Sequence, residues 1–210
     1  MESVRAYWMD PSGLLSFSPA LLPRIHERYR EKFGTLRLTQ GKEGALAAGL
    51  LLAEFAGACP ESDLRTGDWG KPYLPAGPFF SLSHSDARTF LAVSAAMPVG
   101  ADLERPGRAD ARILRKVSLL DAEGMTDRER TEEWTRVEAS LKLQGTGFHA
   151  DPKSVDRTKL FFLSGEAGGH IFTVAAETPF TLELYETGFD PADGAIRIKQ
   201  KTIIRKDPET

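Results

Sequence analysis

A single cysteine, Cys59, stands among the 210 residues, so no intramolecular disulfide can form. Neither a C-x-x-C pair nor a Cys/His cluster is available to hold zinc. The residue reads as a buried small hydrophobe at a helix end. Long apolar runs are also lacking: no stretch approaches 18 residues, and Met1–Trp8 has no basic-then-apolar pattern of a signal peptide. The expectations are no membrane contact and a cytoplasmic location. Nor does one sign of charge dominate. Twenty-seven Lys and Arg against 30 Asp and Glu give a net charge of −3, which argues against bulk nucleic-acid binding. With 41% hydrophobic residues the chain can bury a substantial core and form one or two small domains.

What the chain does have is three acids in two short segments. Asp102 and Glu104 lie in Val99-Gly100-Ala101-Asp102-Leu103-Glu104, and Glu138 lies in Trp134-Thr135-Arg136-Val137-Glu138-Ala139-Ser140-Leu141-Lys142. On a strand, residues i and i+2 share a face, so Asp102 and Glu104 project together while Val99, Ala101 and Leu103 pack behind them. On a helix, Glu138 and Lys142 at i and i+4 share a face. Two or three hard oxygen ligands with positions left open for water and phosphate are the usual protein share of a Mg²⁺ site; Mn²⁺ suits the same donors. Taken alone, each piece also has an ordinary reading: a solvated strand face, and a helical ion pair. A third element, Ser83-His84-Ser85 just past the short strand Phe79–Leu82, supplies hydroxyls, backbone N–H groups and an imidazole able to donate to phosphate. By itself it reads as an exposed turn.

The ordered series Gly70-Lys71-Pro72, Leu82-Ser83-His84-Ser85, Gly100-Ala101-Asp102-Leu103-Glu104, then Trp134 to Lys142 followed by Gly145-Thr146-Gly147, resembles the Sfp-type 4′-phosphopantetheinyl transferases over about residues 69 to 148. The resemblance implies Mg²⁺-dependent transfer of 4′-phosphopantetheine from coenzyme A to a serine of an acyl or peptidyl carrier protein, with release of 3′,5′-ADP. It implies Asp102, Glu104 and Glu138 as metal ligands, and Asp102, Glu138 and Lys142 as the catalytic group. Lys71, Ser83, His84 and Lys142 would contact the phosphates of coenzyme A, and Glu138 would take the proton of the attacking serine. Two positions depart from the family pattern. Val137 stands where a lysine commonly precedes the helical glutamate, and Ala47 and Ala48 stand where many relatives place an arginine near the 3′-phosphate; Arg37 and Lys42 are the nearby cations.

The chain also repeats itself. Residue n set against n+81 matches Phe80 with Phe161, Leu82 with Leu163, Ser83 with Ser164, Val93 with Val174, Ala95 with Ala176, Pro98 with Pro179 and Leu103 with Leu184. Each copy reads as a hairpin and a further strand: Phe79–Leu82, a turn at Asp86-Ala87, Phe90–Val93, then Val99–Glu104; and Leu160–Leu163, a turn at Gly168-Gly169, Ile171–Ala176, then Phe180–Tyr185. Each follows a helix, Glu43–Phe55 ending near Gly57 and Asp127–Leu143 ending near Gly145, the second opened by the capping-box pattern Thr126-Asp127-Arg128-Glu129. The expected fold is α+β, with two similar halves, 1–105 and 106–210, in a pseudo-twofold arrangement with a cleft between them, the architecture of the family it resembles. A pseudodimer in one chain has little need to associate, so a monomer is expected. A last short strand near Thr202–Ile204 precedes a frayed end at Lys206–Thr210.

Between the halves, Arg105, Arg108, Arg112, Arg115 and Lys116 face one acid, Asp110. Arg108, Arg112 and Arg115 have helical i, i+4, i+7 spacing, with Ile113, Leu114 and Val117 beside them. The stripe fits either a docking surface for an acidic carrier protein or a solvated basic face. Two other functions use the same residues: a weakened paralogue that binds coenzyme A or a carrier without transfer, and a Mg²⁺-dependent phosphohydrolase.

Overall fold

A computed structural model describes residues 2–86 and 88–205; the turn residue Ala87 and the expected frayed end at Lys206–Thr210 lie outside them. Among the described residues ten strands and five α-helices form a mixed α+β structure. The chain opens with β1 (Glu2–Met9), passes through short helical turns and α1 (Ser18–Leu21), and enters α2 (Glu27–Thr35) and α3 (Thr39–Leu51). A π-helical turn, Leu52–Ala56, extends α3 until Gly57 ends it at φ 73°. A two-residue hairpin, β2 (Arg65–Thr66) and β3 (Pro72–Tyr73), follows, then β4 (Phe79–Ser85), β5 (Arg88–Ser94) and β6 (Gly100–Glu104). After α4 (Ala111–Val117) and α5 (Asp127–Gln144) come β7 (Phe161–Ala167), β8 (His170–Ala176), β9 (Phe180–Phe189) and β10 (Ile196–Ile204).

Alternation along the strands sorts the core into layers. Tyr7, Met9, Leu91 and Val93 pack with α3 residues such as Leu46, Leu50 and Leu51 on one side of the five-stranded sheet β10-β9-β1-β5-β4. Val4, Ala6, Phe90 and Ala92 turn the other way and meet Ala101, Leu103, Phe172 and Val174 of the three-stranded sheet β6-β8-β7. On the far side of that small sheet lies α5, through Ala139 and Leu143 against Ala175. The order of layers is therefore helices, five strands, three strands, helix.

The strand following each hairpin leaves it for the other sheet. β6 follows the β4/β5 hairpin yet pairs with β8, Asp102 opposite Thr173. β9 follows the β7/β8 hairpin yet runs parallel to β1, which is antiparallel to β5. In consequence β4 and β6 are edge strands of different sheets that lie side by side.

Helix α5 carries the local signals written at both its ends. Thr126 accepts from Glu129 N–H while the Glu129 carboxylate accepts from Thr126 N–H, a complete capping box. At the other end Gly145 takes φ 75°, Gly145 N–H bonds Lys142 O and Thr146 N–H bonds Leu141 O, the paired bonds of a Schellman end. Gly100 decides how closely this helix approaches β6. A Cβ there would lie 1.9 Å from Ala139 O and 2.4 Å from Leu143 N, so only glycine lets the helix backbone rest on the strand.

Four expectations need correction. Ser83-His84-Ser85 is not past the strand but its last three residues, because pairing with β5 continues to Ser85 opposite Arg88. The last strand runs from Ile196 rather than Thr202, drawn out by a long antiparallel partner in β9 despite its weak alternation. Cys59 is exposed, since the chain reverses at Gly57 and it is Ala58 that turns inward, its N–H bonding Leu52 O. Arg108 does not share a helix with Arg112 and Arg115: Asp110 caps Ile113 N–H at 2.8 Å, and α4 starts only at Ala111. No helix of the described residues is long and apolar enough to cross a membrane.

Candidate functional site

The seam where β4, β6 and α5 meet gathers the residues singled out by sequence. Asp102, 2% exposed, stands on the face of β6 that Gly100 opens to α5. Lys142 reaches it from the last turn of that helix, Nζ to Oδ1 at 2.6 Å, and also donates to Ser83 Oγ at 3.0 Å. Ser83 in turn donates to Asp102 Oδ1 at 2.7 Å. Glu138, one turn back on α5, has its carboxylate 4.0 Å from the same ammonium. Glu104, two residues beyond Asp102, accepts from Ser85 Oγ at 2.6 Å.

These acids disturb one another. Burial, reinforced by the charges of Asp102 and Glu104 and opposed by Lys142, pushes Glu138 up to about 7. Burial likewise raises Glu104; the Ser85 hydrogen bond pulls against that rise and Asp102 adds to it. Asp102 Oδ2 is buried with no hydrogen-bond partner among the described residues, a costly condition for a carboxylate oxygen. Among the described residues no group of three His, Cys, Asp or Glu is closed into metal-binding geometry. The donor set does fit a hard divalent cation on two observations: an orphaned buried carboxylate oxygen, and two neighbouring carboxyls held above their usual range first by burial and then by the charge of Asp102.

Beside the carboxylates runs a groove of about 220 Å³, lined by Trp69, Lys71, Pro72, Phe80, Leu82 and Lys142 among others. Lys71 lies in the β2–β3 turn; its stem passes over Gly145 and its Nζ donates to Val99 O at 3.1 Å. Burial, then the charge of Lys142, lowers it to about 8. Two ammonium groups that raise each other's energy beside an open groove favour an anion between them. Trp69 and His149 stack at 4.5 Å between ring centroids, joining the β2–β3 turn to the turn after α5 at the groove's rim.

His84 departs from the expected arrangement. Adjacent strand residues point to opposite faces, so with Ser83 turned toward β6, His84 sits on the side of Phe80 and Leu82, open to water. The protein around it still removes enough solvent to lower its imidazole pKa, and Lys32 and then Lys142 add to that fall. The Ser83 hydroxyl is committed to Asp102, which leaves this seryl side chain a partner of the carboxylate rather than a free donor.

Sequence reasoning missed Lys32 and Arg28. Both come from α2, about forty residues before the first of the motifs and with no marker of their own. Lys32 is lowered by burial and by Arg28, and Arg28 reaches across to the β2–β3 turn, NH2 to Gly70 O at 3.5 Å. The suggested alternatives are elsewhere: Arg37 is exposed, and Lys42 lies over the Phe33 ring at 5.1 Å. Ala47 and Ala48 are buried in the core against the large sheet, so no cation at those positions would face solvent. Val137 is buried with Leu141 and Val155, and Arg136 pairs with Glu132 at 2.7 Å; neither faces the seam.

No protein-family model matches the chain, and no curated protein matches its sequence.

Proposed function

We propose that the protein transfers 4′-phosphopantetheine from coenzyme A to a serine of an acyl or peptidyl carrier protein. The observation that carries this reading is the convergence of Asp102, Ser83 and Lys142, drawn from three separate motifs, at one point beside a groove with a second, destabilised ammonium at Lys71. The reading takes the two hairpins with their exchanged strands as halves of a pseudo-twofold, monomeric, cytoplasmic enzyme of the 4′-phosphopantetheinyl transferase fold. Asp102 through Oδ2, Glu104 and Glu138 would hold Mg²⁺, or Mn²⁺, which when bound neutralises phosphate charge.

The chain's own groups supply the rest. Lys71 and Lys142 bind the pyrophosphate, with His84, Lys32 and Arg28 placed for the remaining phosphate. The carrier serine attacks the β-phosphorus; its proton passes to the Glu138 carboxylate, whose raised pKa suits a base near neutral pH. The bond from that phosphorus to the bridging oxygen breaks, and 3′,5′-ADP leaves with its new charge beside Lys142. The exposed side chains of Arg112, Ile113, Lys116, Leu119 and Leu120, on and just after α4, offer a basic and apolar docking face to an acidic carrier.

Intact mass of an apo carrier protein after incubation with coenzyme A, Mg²⁺ and the protein tests the reading. Gain of one phosphopantetheine, absent with Glu138→Ala, is the expected result; no gain with fatty-acid and peptidyl carriers alike rejects it. The burial of Val137 away from the seam favours a second reading, a paralogue that binds coenzyme A without efficient transfer. Coenzyme A binding without mass gain is its signature. Release of phosphopantetheine with no acceptor present would instead mark a phosphohydrolase.

A further inference from the structure

Two edge strands of separate sheets lie together at the seam with no backbone ladder joining them. Hydroxyls do the joining. Ser81, Ser83 and Ser85 occupy alternate positions of β4 and so share a face. Ser81 Oγ accepts from Ala101 N–H at 2.9 Å, Ser83 Oγ donates to Asp102 Oδ1 at 2.7 Å, and Ser85 Oγ donates to Glu104 Oε2 at 2.6 Å. Each step of two residues along β4 meets β6 one and then two residues further on. The lower rung fixes the strand by its backbone, while the upper two fix carboxylates.

From this ladder we infer that Ser85 is a positioning residue, holding Glu104 by Oε2 so that its other oxygen faces the Asp102 side of the seam. The inference rests on the reading of Asp102, Glu104 and Glu138 as cation ligands. Three observations support it. A glutamate side chain that is only half buried has several rotamers open to it, and a short charge-assisted O–H···O⁻ bond selects among them. Among the described residues, Ser85 is the hydrogen-bond partner Glu104 has at the seam. Finally, the ladder accompanies the acids: 81 residues on, the equivalent positions of β7 are Phe162, Ser164 and Glu166, and the one hydroxyl there meets Thr173 at 2.9 Å rather than a carboxylate. Partners that orient a metal-binding carboxylate are worth about 10–100-fold in metal affinity.

The experiment titrates the full chain with Mn²⁺ in the absence of coenzyme A and reads the free ion by electron paramagnetic resonance. Ser85→Ala should weaken Mn²⁺ about tenfold, the lower end expected for such a partner. Ser85→Thr keeps the hydroxyl and should bind as the wild type does. Ser85→Val has nearly the shape of threonine without the hydroxyl, so the Thr and Val pair decides the matter even if alanine disturbs the fold. Ser81→Ala, which loses a bond only to a backbone N–H, should lower the melting temperature and leave Mn²⁺ affinity alone. Wild-type affinity in Ser85→Val, or an equal loss in Ser81→Ala, overturns the inference. If the wild-type chain takes up no Mn²⁺, or Asp102→Asn binds it as tightly, the ligand reading itself fails and the positioning role falls with it.

Discussion

Asp102 and Glu183 stand 81 residues apart at equivalent places in the repeat, and the protein treats them in opposite ways. Asp102 is buried at a seam, its one paired oxygen shared by Lys142 and Ser83 and the other unpartnered. Glu183 lies on the outer strands, where Lys201 at 2.8 Å, the Tyr185 hydroxyl at 2.7 Å and Arg5 surround it; the hydrogen bonds from Lys201 and Tyr185 hold its carboxyl below the usual range. Two residues on, the copies diverge further: Glu104 is raised by burial and Asp102, whereas its counterpart is not an acid but Tyr185, stacked on Tyr7. A carboxylate that is fully satisfied is a structural partner. One left with a buried lone pair beside other acids carries an unmet electrostatic cost that the proposed cation would relieve. The two strands differ as much as their acids: β6 is a five-residue edge strand against β8, whereas β9 runs ten residues between β1 and β10.

Matched substitutions should separate the seams most sharply at these acids. Asp102→Ala leaves Lys142 without its closest partner and should cost about 3 kcal/mol, lowering the melting temperature by roughly 6–12 °C, along with transfer activity. Glu183→Ala should stay within about 0.5 kcal/mol of wild type. Equal losses on urea denaturation would erase the distinction. Next in size is the helix contact. Gly100→Ala forces a Cβ against Ala139 O and should cost about 1–3 kcal/mol through displacement of α5. Its equivalent, Thr181→Ala, carries no such helix and should change stability little. Because Glu138 and Lys142 ride on that helix, Gly100→Ala should lose more activity than its stability loss explains, as measured on protein shown to be folded at the assay temperature.

These contrasts also show what could be read from the chain in advance. Both hairpins, the strand after each and the boundaries of α5 were legible because local chemistry dictates them: alternation, glycine turns, a capping box and a left-handed glycine end. Spacing alone paired Asp102 with Glu104 on a strand face and Glu138 with Lys142 on a helix face; that the two segments belong together was implied only by the resemblance, and the direct Lys142–Asp102 contact was not foreseen. The exchange of β6 and β9 between sheets was not, since strand partners far apart in sequence leave no local mark. Lys32 and Arg28 were hidden for the same reason, while Arg108 was misplaced because Asp110 caps the helix two residues later. The Ser81, Ser83, Ser85 alternation was visible, but only the neighbour across the seam gives it meaning.

A smaller effect should distinguish the groove from the seam. Lys71→Ala removes an ammonium that already resists its charge, its pKa lowered to about 8 by burial and Lys142. The apo protein should therefore hardly suffer, and its stability below about pH 8 should rise slightly: a depressed lysine contributes stability only above its unfolded value and loses it as pH falls through the folded one. Coenzyme A affinity should fall about tenfold, the loss of one charge-assisted contact, by isothermal titration. A tenfold weaker complex with a slightly firmer apo protein would place Lys71 with the ligand rather than with the fold.

The gentlest test is pH. Glu138 has a folded pKa near 7, above the 4.5 of an ordinary glutamate, so the folded state binds the proton more tightly than the unfolded chain does. Its contribution to stability is then fully present below about pH 4.5 and is lost as pH rises through about 7. Metal-free protein should melt progressively earlier across that interval, and Glu138→Gln, neutral at every pH, should flatten the trend. Added Mg²⁺ should restore the wild type at the upper end and not the glutamine variant, because a cation stabilises the ionised carboxylates it binds. At Glu183 the sign reverses: hydrogen bonds from Lys201 and Tyr185 hold that carboxyl low, so the wild type loses its contribution as pH falls, and Glu183→Gln, already lacking it, should lose nothing further there. Melting curves with parallel slopes for the two glutamine variants would mean that burial beside other acids at the seam makes no difference to what a carboxylate does there.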